Sequence, residues 1–105
     1  MTAVVTMLCA AADRDEAARL ARGLVEARLA ACVQALPVDS WYRWQGAVQQ
    51  AGEVLLLIKT TRARAPEAQA WLAANHSYDV PEIVMLPVED GLPAYLDWVT
   101  ASVGE

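Results

Sequence analysis

The chain has 105 residues, of which 56% are hydrophobic, and 8 Lys and Arg against 13 Asp and Glu give a formal net charge of −5. This length supports one compact domain, so we assign residues 1–105 to a single domain. The acidic balance, with no basic cluster, argues against nucleic-acid binding, because phosphate contacts need concentrated Lys and Arg. No apolar run approaches the roughly 20 residues that a membrane-spanning helix needs.

The N-terminus and the two cysteines indicate the compartment. The first residues have no basic region ahead of an apolar core, so we expect no signal peptide and a cytoplasmic protein. Cys9 and Cys32 form neither a CxxC pair nor a zinc-finger spacing, and no disulfide is expected in a reducing compartment.

The chain begins with a predicted strand and helix. Residues 3–10 are small and β-branched apolar residues, which favour a strand. Asp13 then offers an N-cap, and Glu16 three residues later completes a capping-box pattern. Apolar residues follow at helical spacing, so we expect a helix that ends near Arg28 or Leu29.

A hairpin follows this helix. Residues 29–38 predict a second strand that continues toward Trp44, and Pro37 places it at a sheet edge or a bulge. The turn is predicted somewhere between Gln45 and Gly52, and residues 53–61 predict the third strand.

The last third predicts two helices around a fourth strand. Pro66 suits the first turn of a second helix that runs to about Asn75. Residues 83–88 predict the fourth strand, and Gly91 and Pro93 open a terminal helix. The element order β-α-β-β-α-β plus a C-terminal helix predicts the α+β class: a ferredoxin-like split βαβ fold with a four-stranded antiparallel sheet and a long β-hairpin arm.

The predicted strands are apolar on both faces. Residues 4–9, 54–58 and 83–86 do not alternate between apolar and polar side chains, although a strand with one wet face should. The crossover helices can cover only one face, and the terminal helix can cover part of the other. We therefore expect a partner subunit to cover the rest.

The same topology brings two distant polar residues together. Cys9 ends the first strand, and His76 precedes the fourth strand at the same end of the sheet. A thiolate and an imidazole suit copper or another soft-to-borderline metal, so we predict Cys9 and His76 as metal ligands. Glu82, at the exit of the same loop, is a secondary candidate. The alternative is that both cysteines are small buried hydrophobes and His76 is a turn residue.

No catalytic arrangement stands out. Cys9 with His76 could act as nucleophile and base, but no third residue is evident that would orient the base. The five glycines are scattered and form no phosphate-binding loop. We expect a protein that is not an enzyme.

With these segments placed, the chain resembles the divalent-cation-tolerance family of CutA type over nearly its whole length. Several motifs carry the resemblance in order: "LCAAADRDEAARLARGLVEARLAACV", "SWYRWQG", "EVLLLIKTT", "NHSYDVPEIVMLPV" and "YLDWVTASV". The resemblance implies a tight homotrimer held by the hairpin arms around a three-fold axis, similar to the trimer of the PII signalling proteins. It also implies a link to tolerance of copper and other divalent metals.

The resemblance also implies a ligand set. Copper ligands of the family correspond to a Cys that ends the first strand and to two successive His before the fourth, and these match Cys9, Asn75 and His76. Asn75 stands where the first His is expected. Cys32 matches the family's Ala-Ala-Cys segment and is a secondary candidate if trimer contacts bring it near another group that can bind a metal.

Three hypotheses follow. The first is a copper-binding homotrimer, and the second is a PII-like regulatory or scaffold trimer that binds a small molecule or a protein in its intersubunit clefts. The third is an enzyme with Cys9 as nucleophile.

Overall fold

A computed structural model describes residues 2–104. The predicted domain of residues 1–105 includes Met1 and Glu105, which lie outside the described residues. The elements in chain order are β1 (Val4–Ala11), α1 (Arg14–Glu26), β2 (Cys32–Trp44), β3 (Ala47–Thr61), α2 (Ala65–Asn75), β4 (Ile83–Pro87) and α3 (Pro93–Val103).

The four strands form one antiparallel sheet in the order β2-β3-β1-β4. The predicted α+β class and split βαβ order are confirmed, including the long hairpin of β2 and β3. Because β1 ends opposite Val54, residues 38–53 of that hairpin project beyond the rest of the sheet. We refer to residues 38–53 as the hairpin arm.

The start of α1 is capped as predicted. The Asp13 carboxylate accepts a hydrogen bond from the backbone N–H of Glu16 at 2.8 Å. The Glu16 side chain reaches back to the N–H of Ala12 at 2.9 Å, one residue earlier than in a standard capping box. These bonds satisfy backbone donors that a helix N-terminus leaves without partners.

The predicted end of α1 is wrong by two to three residues. The helix ends at Glu26 because Arg28 adopts the left-handed conformation with φ 57°. The N–H of Leu29 then donates to the carbonyl of Leu24 at 2.9 Å, which closes the helix in a Schellman arrangement. An arginine at this position carries no sequence signal for a helix end. The chain consequently enters β2 only at Cys32.

The predicted hairpin turn is confirmed, but the predicted start of the third strand at Glu53 is wrong. The structure confines the turn to Gln45 and Gly46, with φ 52° and 79°. Two positive φ values are typical of the two-residue turn whose twist matches antiparallel strands. β3 therefore begins at Ala47, directly opposite Trp44, and residues 47–52 are strand rather than loop.

The two faces of the sheet differ in their cover. α1 and α2 pack on one face over a core that includes Leu20, Leu24 and Leu72. On the other face α3 buries Val99 and Val103. Exposed apolar side chains remain beside α3 at Leu36 (43% exposed), Val84 (47%) and Leu86 (49%). The prediction that the strands are apolar on both faces is confirmed.

No helix within residues 2–104 has both the length and the apolar character needed to cross a membrane.

Candidate functional site

The fold brings His76 to the end of β1, as the topology predicts. His76 is the C-cap of α2 and begins the α2–β4 loop, residues 76–82. Its side chain has no exposed surface. The ring nitrogen Nε2 lies 2.8 Å from the carbonyl oxygen of Ala10, the residue after Cys9. The imidazole therefore contacts the backbone of β1 at the predicted place.

The partners of His76 define its tautomer. A carbonyl oxygen can only accept, so Nε2 must carry the proton that bonds to Ala10. The other nitrogen, Nδ1, accepts the backbone N–H of Tyr78 at 3.0 Å. A neutral imidazole has one N–H and one lone pair, and both are used in these two bonds.

Glu16 anchors the same loop from α1. Its buried carboxylate accepts the N–H of Ser77 at 2.7 Å, and its Oε2 lies 3.9 Å from Nδ1 of His76. Burial alone would raise the pKa of Glu16, but the hydrogen bonds from Ala12 and Ser77 outweigh it and hold the pKa below its ordinary value. Arg19 adds a longer contact at 3.5 Å. Glu16 is thus an ionised, fully bonded anchor.

Cys9 is part of the core. Its side chain is buried and lies opposite Leu56 and Ile83 on the face that the helices cover. Burial, together with the negative charges of Glu82 and Glu16, raises the pKa of the Cys9 thiol to about 12. The Cys9 thiol is therefore protonated at neutral pH. The protonated form is unreactive, because the thiolate is the form that binds metals and attacks electrophiles.

Tyr78 links the loop to the hairpin arm. Its ring lies 4.8 Å from the His76 ring, centroid to centroid, at an interplanar angle of 45°. Its hydroxyl donates to the carboxylate of Glu53 at 2.9 Å. Burial, together with the bond to Glu53, raises the pKa of Tyr78 to about 12. The loop is therefore tied to the base of the arm as well as to β1 and α1.

The two secondary metal candidates lie in different parts of the fold, and the charge of Glu82 reaches the Cys9 thiol. Glu82 is exposed at the exit of the loop. Cys32 is half-buried at the start of β2, opposite Lys59 on the second face of the sheet. Its neighbour there is Tyr95 of α3, whose pKa is raised by burial and by Cys32. In the described part of the chain, no three His, Cys, Asp or Glu side chains are grouped so that they could hold a metal ion.

The predicted ligands Cys9 and His76 do not fit a metal ion in this arrangement. The lone pair of His76 is occupied by Tyr78, and the Cys9 thiol is protonated. Their assignment as ligands stays a prediction that requires a different state of the loop.

Sequence reasoning assigned no role in the loop to Glu16, Ser77 or Tyr78. The capping-box pattern predicted a role for Glu16 at the start of α1, which its Oε1 performs by accepting the N–H of Ala12. It did not predict the bond that Oε2 accepts from Ser77. The hydrogen bonds of His76, Ser77 and Tyr78 hold the α2–β4 loop closed.

Comparison with known proteins places this geometry in a family. The model of the CutA1 divalent ion tolerance protein family matches residues 5–102. A divalent-cation tolerance protein CutA from Thermus thermophilus is 49% identical over 92 residues, which cover 86% of this chain and 89% of that protein.

Solved structures agree with this match. The structure of CutA from Xylella fastidiosa has a TM-score of 0.96 and 38% identity, with 98% of this chain and 100% of that chain covered. A CutA structure from Archaeoglobus fulgidus, described as periplasmic, has a TM-score of 0.95 and 35% identity, with 96% of this chain and 99% of that chain covered. The chain therefore belongs to the CutA1 divalent ion tolerance protein family.

Proposed function

We propose that the protein acts in tolerance of divalent cations, and in the response to metal ions, as a non-enzymatic homotrimer. Membership of the family supports the role in tolerance. The main support for a homotrimer is the second face of the sheet, where apolar side chains remain exposed beside α3. A monomeric protein gains nothing from such a surface, whereas an interface between subunits buries it.

The hairpin arm supports the same proposal. It extends the protomer to 44 Å along its longest axis, against 25 and 21 Å along the others. Its aromatic side chains are exposed, Trp41 by 65% and Trp44 by 56%. Aromatic anchors are typical of subunit interfaces. Three arms that pair around a three-fold axis would give the PII-like trimer that the resemblance implies.

The thermal transition tests the assembly. If unfolding and dissociation coincide, Tm rises with protein concentration. Val84→Asp places a charge on the second face, so we expect it to remove the concentration dependence. Ala70→Asp is the matched control, because Ala70 is exposed on α2, on the opposite side of the sheet. A Tm that is independent of concentration in the unsubstituted protein would overturn the homotrimer.

Copper binding by Cys9 and His76 remains part of the proposal as a prediction. Its support is that the fold brings both residues to one end of the sheet. We would titrate the reduced protein with Cu(I) under a competing chelator, beside Cys9→Ser and His76→Ala, with Cys32→Ser as the thiol control. One ion per protomer, lost in the first two variants only, would support the assignment. Binding that survives in both variants would remove it.

Both ring nitrogens of His76 are hydrogen-bonded, and this favours a second candidate function. A PII-like regulatory or scaffold trimer would bind a small molecule or a protein in its intersubunit clefts and would not need free metal ligands at the loop. Weak copper binding that none of the substitutions changes is the expected result for this candidate.

The proposal also covers the cellular compartment and the binding partners. We propose a cytoplasmic protein whose main partner is a further copy of itself. With a net charge of −5, neither nucleic acid nor an anionic membrane surface is an expected partner.

A further inference from the structure

We infer that His76 closes the α2–β4 loop and that the closed loop withholds this side chain from metal ions. The inference rests on the proposed role in cation tolerance and deepens it, because it names how access to the candidate ligand is controlled.

Three consecutive residues hold the loop closed. His76 donates from Nε2 to Ala10 at 2.8 Å, Ser77 donates its N–H to Glu16 at 2.7 Å, and Tyr78 donates its N–H to Nδ1 of His76 at 3.0 Å. The acceptors belong to β1, to α1 and to the loop itself. The closed loop is therefore fixed to two elements of the core.

These contacts leave no ring nitrogen available. A metal ion would need the lone pair of Nδ1, which Tyr78 occupies, or it would need Nε2 without its proton, which would break the bond to Ala10. The absence of exposed surface on the His76 side chain adds a steric barrier. Binding at His76 and closure of the loop consequently exclude each other.

An apparent affinity then depends on how often the loop opens. If only the open form binds, the dissociation constant is the intrinsic one divided by the open fraction. Glu16 acts on this fraction as a positioning residue, since its bond to Ser77 is charge-assisted. Glu16→Gln keeps the shape of the side chain and weakens that bond, so it raises the open fraction.

Glu16→Gln separates this account from an electrostatic one. If Glu16 merely attracted cations to the site, loss of its charge would weaken binding. If Glu16 holds the loop closed, loss of the charge tightens binding despite the weaker attraction. The two accounts therefore predict changes of opposite sign.

The single histidine makes the measurement direct. We would titrate the tag-free, reduced protein with Zn²⁺ and follow the ¹⁵N and ¹H signals of the only imidazole by NMR. Glu26→Gln is the matched control, because Glu26 is exposed on α1 and pairs with Arg22. We expect Glu16→Gln to tighten Zn²⁺ binding at His76 by roughly tenfold or more relative to Glu26→Gln. Unchanged or weaker binding relative to that control would overturn the inference.

If neither Glu16→Gln nor Glu26→Gln binds Zn²⁺ at His76, a second NMR measurement tests closure of the loop. The ¹⁵N shifts should report the Nε2–H tautomer, and the amide of Tyr78 should be protected from hydrogen exchange in the native protein and less so in Glu16→Gln. The opposite tautomer, or equal protection in both proteins, would overturn the inference. A trimeric mass measured on the same samples separates failure of this inference from failure of the proposed assembly.

Discussion

Trp71 of α2 lies directly against the backbone of Gly23 on α1. A Cβ at Gly23 would clash with the ring carbon Cη2 of Trp71, because the two would lie closer than side-chain carbons approach. The two crossover helices pack side by side through this contact, and α2 then leads into the α2–β4 loop at His76.

Gly23→Ala should therefore destabilise the protein, although alanine favours a helix. We expect a loss of about 1–3 kcal/mol in the free energy of unfolding, measured in urea, because the overpacked ring must shift. In a Trp71→Leu background the same substitution should be neutral or stabilising by up to about 1 kcal/mol. If Gly23→Ala stabilises the protein while Trp71 is present, the packing account is wrong.

Arg28 offers a stabilising substitution. Its φ of 57° is a left-handed conformation that costs a non-glycine residue about 1 kcal/mol. Arg28→Gly should raise the free energy of unfolding by up to about that amount, because glycine adopts this conformation without a steric penalty. Arg28→Ala keeps the penalty and serves as the control. A larger stability for the alanine variant would contradict the prediction.

Glu16 should give the protein a stability that depends on pH. Its pKa in the folded protein lies below the ordinary 4.5, so the ionised form favours the folded state. This contribution is fully present above the unfolded pKa and is lost as the pH falls through the folded pKa. Urea unfolding of the unsubstituted protein and Glu16→Gln, from about pH 7 to about pH 3, should show a difference that shrinks toward acid pH. A difference that grows there would reverse the sign and refute the assignment.

Cys9 should be unreactive in the native protein. In a Cys32→Ser background it is the remaining thiol, and its pKa of about 12 leaves almost no thiolate at neutral pH. Iodoacetamide should modify it roughly a thousandfold more slowly than a free cysteine, and at the ordinary rate once urea unfolds the chain. Native alkylation at the rate of a free cysteine would restore the hypothesis of a Cys9 nucleophile.

Much of the fold follows from the pattern of apolar residues. The apolar runs and the Asp13 cap predicted the element order, and the topology then placed His76 at the end of β1 although the two are far apart in sequence. The double-sided apolar strands indicated a partner surface. They could not indicate the number of subunits, because an apolar face can be buried equally well in a dimer or in a trimer.

The errors have local physical causes. Arg28 ends α1 in a conformation for which glycine is the usual signal, and residues 47–52 pair as a strand because β2 is long enough to meet them. The contacts of Glu16 with Ser77 join residues 61 positions apart, so no local pattern contains them. The state of a candidate ligand such as His76 depends on such contacts and becomes visible only in the folded chain.

The mass of the native protein tests the central proposal most directly. Sedimentation equilibrium at micromolar concentration should give three times the mass of one chain for the unsubstituted protein, and a lower mass for Val84→Asp. A mass equal to one chain, with the same folded spectrum, would contradict the account, because the apolar second face and the hairpin arm would then remain exposed in a stable monomer.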